Sequence, residues 1–447
     1  MTTTLDLAGS VRVQPMTDRA TLRRAIAASA LGNATEWFDY GIYAYGVTYI
    51  SAALFPGDVD DAVLFALATF AISFLVRPLG GLFWGPLGDR LGRKSVLAFT
   101  IVLMSGATLC VGLIPDYARI GFWAPTLLIL LRMVQGFSTG GEYGGAATFM
   151  AEYAPDDRRG FYGSFLEFGT LAGFSLGAFL MLAFSLMLGD VAMHEWGWRI
   201  PFLIAAPMGL IGMYLRSRME DTPIFREEGK SGKRAEAPRL SLLLRRHWRP
   251  MMVVGGLVVA LNVVNYTLLS YMPTYLQRRI GLLPNEALIV PIIGMLFMMA
   301  FVPLAGGLSD RLGRRFLWKI SLTGLFLAVV PLYMLMATGL AGAIVGFVLL
   351  GLLYVPQLAT ISATFPALFP TSVRFAGFAI AYNISTSIFG GTAPAMDSAL
   401  ITMTGDELMP AYYMMAACLV GLAALRFMPE TAGKSLRDDP FADRKHA

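Results

Sequence analysis

Apolar stretches of about 20 residues recur along almost the whole chain, each long enough to cross the roughly 30 Å hydrocarbon layer of a bilayer as an α-helix. Counted between polar breaks they number about twelve: Ala25–Leu54, Ala62–Gly88, Ser95–Ile114, Trp123–Met150, Gly160–Met187, Trp198–Leu215, Met251–Leu276, Asn285–Leu308, Phe316–Met336, Ala341–Pro366, Val373–Leu400 and Ala411–Phe427. Lipid offers the backbone no hydrogen bonds, so a spanning segment is either a helix or a strand of a closed barrel. None of these stretches has the alternating pattern of about ten residues that marks a barrel strand. The expected fold is therefore all-α, with twelve transmembrane helices. Composition agrees: 56% of the 447 residues are hydrophobic and 15% charged, and the mean hydropathy is +0.61, well outside soluble globular domains.

Orientation follows from where lysine and arginine fall. Arg19, Arg23 and Arg24 precede the first span, Arg90, Arg93 and Lys94 follow the second, and Arg158 and Arg159 follow the fourth. The central stretch from Arg216 to Arg249, then Arg311, Arg314, Arg315, Lys319 and Arg374, fall on the same side. That side is expected to be cytoplasmic, with both termini on it and the chain in a bacterial inner membrane. The opposite loops hold few cations, Arg278 and Arg279 being the main exceptions. The net charge of +5 is thus topological and implies no nucleic-acid partner; the partner is the bilayer. The polar first 20 residues lack the apolar core of a secretory signal. Cys110 and Cys418, each within a predicted span, form neither a disulfide framework nor a metal site.

An internal repeat divides the chain. Gly85-Pro-Leu-Gly-Asp-Arg-Leu-Gly-Arg-Lys94 returns as Gly306-Gly-Leu-Ser-Asp-Arg-Leu-Gly-Arg-Arg315, each after an even-numbered span. Pro155-Asp-Asp-Arg-Arg-Gly160 echoes Pro370-Thr-Ser-Val-Arg374 more weakly. The expected organisation is a tail over 1–24, two pseudo-symmetric six-helix bundles over 25–217 and 251–428, a charged linker over 218–250, and a tail over 429–447. In the repeated loops the glycines permit a tight turn, and Asp89 and Asp310 stand where a carboxylate meets a helix N-terminus or a neighbouring arginine. Gly85, Asp89, Arg90, Arg93, Asp310, Arg311 and Arg314 are therefore candidate gating residues, a static turn being the alternative reading.

The paired Asp-Arg-x-Gly-Arg loops and the twelve spans in two halves resemble the major facilitator superfamily. Gly32-Asn-Ala-Thr-Glu-Trp-Phe-Asp-Tyr40, Arg77-Pro-Leu-Gly-Gly81, Gln135-Gly-Phe-Ser-Thr-Gly-Gly-Glu-Tyr143 and Trp196-Gly-Trp-Arg-Ile-Pro-Phe202 narrow the likeness to its metabolite:proton symporter family. Gly160-Phe-Tyr-Gly-Ser-Phe-Leu-Glu-Phe-Gly169 and Tyr271-Met-Pro-Thr-Tyr275 are most similar to the branch that carries osmoprotectants such as proline and glycine betaine. The resemblance implies proton-coupled import of a small zwitterion by alternating access, with no cofactor. Other members carry organic acids of the ketoglutarate, citrate or shikimate type, so that substrate class stays open. The osmosensing members extend into a C-terminal coiled coil, for which the residues up to Ala447 offer no counterpart.

Ionisable residues inside a span cost roughly 2.5–3.5 kcal/mol each on insertion scales and mark the pathway. Here they are Glu36, Asp39, Arg77, Arg132, Glu142, Glu167 and Asp397, mostly in the first half. Helical spacing puts Glu36 with Tyr40 and Tyr43 on one face of the first span, with Asp39 alongside. For a proton symporter, carboxylates are the groups that take up and release the coupled proton, which makes Glu36, Asp39, Glu142 and Glu167 the candidates. Glu167 has a second reading, as partner of a loop arginine. For a betaine-like substrate, Trp37, Tyr40 and Tyr43 could face the ammonium group and Arg132 the carboxylate, although aromatics in such helices also serve simply to pack. Asn262, Tyr266, Gln357, Tyr382 and Asn383 are further candidate contacts from the second half. Arg77, beside Pro78 and Gly80-Gly81, is expected near the cytoplasmic end as a gating group.

Rival classes find little support. His194, His247 and His446 fall in loops or the tail and build neither a zinc site nor a catalytic triad. No phosphate-binding loop of an ATP-driven pump is present in the sequence.

Overall fold

The computed structural model describes residues 19–91, 93–140, 142–217, 245–370, 373–436 and 441. Twelve helical spans follow one another in two groups of six, and the described residues contain no strand. The first group comprises Arg19–Tyr45 continued by Val47–Leu54, Val59–Leu91, Arg93–Gly112, Trp123–Thr139 continued by Glu142–Tyr153, Arg159–Glu195 and Ile200–Ser217. The second comprises Trp248–Tyr266 with its continuation to Ile280, Pro284–Leu312, Arg314–Met336, Leu340–Leu358 with Ile361–Thr364, Arg374–Phe389 with Ala393–Thr404, and Met409–Leu425. The expected linker at 218–250 lies outside the described residues as far as 244.

Six of the described spans are each long and apolar enough to cross a membrane. Several of the described spans are interrupted, and the interruptions have local causes. Gly46 breaks the first span, Gly140 the fourth and Gly390 the eleventh, while Pro356 precedes a break in the tenth. The seventh passes through two π-helical stretches, Thr267–Tyr271 and Leu276–Ile280. A broken helix leaves backbone groups to be satisfied by neighbours, and that is tolerated at membrane depth only inside protein or a cavity. The first, fourth, seventh and eleventh of these take part in the contacts between the halves at the centre, together with the second.

Helices in lipid gain little from the hydrophobic effect and associate through close packing. A Cβ on Gly136 would lie 1.8 Å from the Ser73 carbonyl oxygen, and one on Gly140 2.0 Å from that of Arg77. Glycine alone lets the second and fourth spans touch backbone to backbone, and this contact fixes where Arg77 stands.

The halves meet at three levels. At the end bearing the basic loops, the backbone N–H groups of Gly160 and Phe161 donate to the Asp310 carboxylate at 2.8 and 2.9 Å. Midway, Tyr143 stacks on Tyr382 with centroids 4.7 Å apart, and Asn383 donates to the Gly140 carbonyl at 2.9 Å. At the far end Thr48 donates to Gln277 at 3.0 Å, Ser185 to Asn285 at 2.7 Å, and Arg278 pairs with Asp60. The conformation is therefore closed at both ends.

Candidate functional site

On the first span Glu36 and Asp39, both 2% exposed, each meet an arginine from another helix. Arg77 donates through Nη2 to Glu36 at 3.0 Å and to the Tyr40 hydroxyl at 2.8 Å. Arg132 lies 3.6 Å from Asp39 and donates to Gln135 at 2.8 Å. Gln135 and Thr108 in turn donate to Asp39 at 2.9 and 2.5 Å. A buried charge needs a partner and further hydrogen bonds to be tolerated, and here two carboxylates and two guanidiniums supply that for each other.

Arg77 does not take the place at the basic end expected of it. The second span runs on to Leu91, which leaves Arg77 roughly 20 Å from that end along the axis, wholly buried between Glu36 and Tyr40. It belongs to the centre, and its guanidinium cannot snorkel out of it.

The ring faces reserved for a substrate ammonium are occupied by the protein's own cations. The Arg132 guanidinium carbon is 4.0 Å from the Tyr43 centroid and 5.7 Å from that of Tyr40, and Arg77 stands 5.0 Å from Tyr40 and 4.5 Å from Phe74. Trp37 is differently placed. Its indole N–H donates to Asn33 at 3.1 Å, and its ring faces Tyr266 of the other half at 6.0 Å and Phe174 at 5.3 Å. Phe74 completes this cross-half group at 5.1 Å from Tyr266. Several buried polar atoms here lack a hydrogen-bond partner: the Tyr266 hydroxyl, Nε and Nη2 of Arg132, and Nε of Arg77. Unused donors in a packed interior are unusual, and guanidinium edges of this kind suit a carboxylate.

Glu167 accepts hydrogen bonds from the Tyr143 hydroxyl at 2.5 Å and from Thr170 at 3.0 Å. Asn33 donates to Thr170 at 2.7 Å, so a chain of polar contacts runs from Trp37 through Asn33, Thr170 and Glu167 to Tyr143 and its stacked partner Tyr382. The two donors to Glu167 are neutral hydroxyls, in place of the loop arginine considered above. Glu142 is 3% exposed and opens the helix Glu142–Tyr153, where a carboxylate is favoured by the helix dipole.

The second half contributes unevenly. Tyr266, Tyr382 and Asn383 reach the first half directly, whereas Asn262 donates to Thr386 within its own bundle at 2.8 Å. The Gln357 amide donates at 2.8 Å to Ser321 on the ninth span, and its carbonyl oxygen is buried with no hydrogen-bond donor. Phe70, Phe74, Thr108 and Phe174 were not anticipated, because neutral or apolar residues in an apolar helix carry no signal in sequence; Gln135, itself polar, stood only within a motif.

At the basic end Asp310 also receives Arg314 at 3.4 Å, and Arg311 is exposed. Gly85, Asp89, Arg90 and Arg93 lie in helices, and the side-chain surroundings of the last three lie outside what is described. A segment that the sequence left as tail completes the closure. Glu430 accepts from the backbone N–H groups of Arg314 and Arg315 at 3.0 Å each, and Arg314 donates to Thr431. Arg159 donates to the Lys434 carbonyl at 3.2 Å and Arg374 to that of Leu436. The weak repeat is visible in these two arginines. Each donates its Nε to a carbonyl eight residues earlier, Ala151 at 3.3 Å and Pro366 at 3.1 Å.

Two bundles of six spans, packed around a buried set of paired charges and closed at both ends, define a membrane carrier. The chain belongs to the Major Facilitator Superfamily, whose family profile matches residues 30–394. It is 44% identical over 431 residues to the glycine betaine/proline/ectoine/pipecolic acid transporter OusA of Dickeya dadantii, covering 94% of this chain and 86% of that one. The proline/betaine transporter of Escherichia coli K12 is 42% identical over 443 residues, covering 95% and 88%. The ectoine/proline transporter ProP of Corynebacterium glutamicum is 42% identical over 432 residues, covering 93% and 85%. Among solved structures, the proton:xylose symporter XylE bound to 6-bromo-6-deoxy-D-glucose superposes with a TM-score of 0.73 at 19% identity, covering 94% of this chain and 98% of that one. At that identity the likeness concerns the fold.

Proposed function

We propose that this chain is a proton-coupled symporter that imports a small zwitterionic osmolyte, such as proline or glycine betaine, across a bacterial cytoplasmic membrane, its basic end facing the cytoplasm. The observation that carries the reading is the charge balance of the centre. Glu36 with Arg77 and Asp39 with Arg132 form two buried pairs whose charges cancel, and such a centre suits a ligand whose own charges cancel. A dicarboxylate or citrate would bring two or three negative charges to it uncompensated. The names of the relatives at 42–44% identity, which print proline, betaine and ectoine, point the same way.

In this reading the substrate carboxylate takes the unused edge of Arg132, and its cationic end lies against Trp37 and Tyr266. Each cation–π contact contributes about 0.5–2 kcal/mol when desolvated. The halves then rock about this point, the Asp310 and tail contacts opening when the far end closes. Of the four carboxylates, Glu167 is the one whose bonds come from hydroxyls alone, and it is assigned the coupled proton. One co-transported charge contributes about 2.3 kcal/mol per 100 mV.

The test is a thermal-shift panel of proline, glycine betaine, ketoglutarate, citrate and shikimate on the purified protein. Stabilisation by proline or betaine is expected; stabilisation by an organic acid alone would replace the zwitterion with that class.

A further inference from the structure

One buried carboxylate takes no part in the centre. Asp397, on the helix Ala393–Thr404, is fully buried. One of its oxygens accepts from the Thr267 hydroxyl at 2.7 Å, and the other has no hydrogen-bond donor. Glu36 and Asp39 each have a guanidinium; among the described residues Asp397 has no cation at ion-pair distance, and the Thr267 hydroxyl is its one polar partner. The groups that face it electrostatically are phenols: Tyr271 from the seventh span, Tyr333 from the ninth and Tyr413 from the twelfth. Arg279 acts on Tyr271. The second span also packs on this helix, but its Arg77 is held by Glu36 and its Asp60 by Arg278. An ionised carboxylate so placed carries a penalty of several kcal/mol that a neutral acid escapes.

The position of Thr267 gives that charge a lever. It opens the π-helical stretch Thr267–Tyr271, immediately after Tyr266, which packs on Trp37 and Phe74 of the other half. Further along the same span, the second π-helical stretch carries Gln277 and Arg278, whose bonds to Thr48 and Asp60 close the far end. Irregular turns of this kind often fall at functional points of a helix. Asp397 is thus bonded to the seventh span between its central contact and its outer one.

We propose that Asp397 is a protonation-controlled latch on the far end, neutral while that end is closed and ionised when it opens to water; it takes and returns its proton on the same side, so the proton coupled to transport remains that of Glu167. Protonation from outside then favours closure over bound substrate. The inference rests on the proton-coupled reading above.

The test uses the full chain in proteoliposomes, comparing wild type with Asp397→Asn, Asp397→Glu and Thr267→Val. Wild-type proline or betaine uptake should respond to an imposed inward pH gradient by about tenfold per unit at equilibrium. Asp397→Asn should keep counterflow within about twofold and keep gradient-driven accumulation, yet lose the dependence of the initial uptake rate on external pH at a fixed gradient, and Asp397→Glu should restore it. Thr267→Val, which removes the one hydrogen bond to the carboxylate, should move the pH midpoint of uptake upward. A wild-type dependence of the initial rate on external pH in Asp397→Asn overturns the inference alone. If that variant does not assemble, an unmoved midpoint in Thr267→Val overturns it. Wild-type uptake indifferent to the gradient removes the symport reading and this inference with it.

Discussion

Arg77 and Glu36 meet at 3.0 Å from neighbouring helices with almost no exposure to solvent, and the same guanidinium nitrogen also holds the Tyr40 hydroxyl. Removing one partner strands the other charge in the interior at a cost of about 3–5 kcal/mol. Arg77→Gln and Glu36→Gln are therefore each expected to lower the melting temperature, and the double variant to recover part of the loss. Additive losses in a thermal-denaturation cycle would mean that the pair is not coupled.

The contact that places Arg77 is equally open to test. Gly140→Ala puts a methyl group 2.0 Å from the Arg77 carbonyl oxygen, and backbone cannot yield as a flexible side chain does. Overpacking of this kind costs typically 1–3 kcal/mol. Loss of folded, monodisperse protein in detergent, or transport reduced at least about tenfold, is the expected result; a variant as stable and active as wild type would refute the close approach.

The basic end should open more readily when Asp310 is neutralised. Asp310→Asn weakens two charge-assisted bonds to the backbone of Gly160 and Phe161, each contributing about 1.5–3 kcal/mol. Cysteines introduced near Gly160 and Gly306, on the facing spans, should be labelled faster by a thiol reagent in that variant than in the otherwise unchanged cysteine protein. Equal labelling rates would show that Asp310 orients its own loop only.

Much of this architecture was legible in the sequence because a membrane leaves few choices. Most of the twelve spans were found to within about four residues at either end, although the first starts at Arg19 and the fifth runs on to Glu195, and the breaks at Gly46, Gly140 and Gly390 fall inside segments read as continuous, since apolarity persists through them. The charged members of the centre were visible because charge inside an apolar helix is conspicuous. Their pairing was not: which arginine meets which carboxylate depends on how helices from distant parts of the chain pack, and Arg77 was consequently placed near an end. The bond from Gln357 to Ser321 was not foreseen for the same reason, since polarity reveals that a residue needs a partner and says nothing of which neighbour supplies it. The tail residues Lys434 and Leu436 could not be assigned in advance, because Arg159 and Arg374 bond to their backbone carbonyls, which every residue possesses, and Glu430 binds backbone N–H groups, which leave no mark in sequence either.

The central claim is that a neutral centre moves a zwitterion at the expense of a proton gradient, with Glu167 carrying the proton. Uptake of radiolabelled proline and glycine betaine into proteoliposomes, with an inward pH gradient imposed, tests it most directly when wild type and Glu167→Gln are measured side by side. Wild type should accumulate substrate above equilibrium and lose that accumulation when a protonophore is added, while Glu167→Gln should exchange substrate yet fail to concentrate it. Accumulation by wild type that survives the protonophore, or full accumulation by Glu167→Gln, would contradict the account.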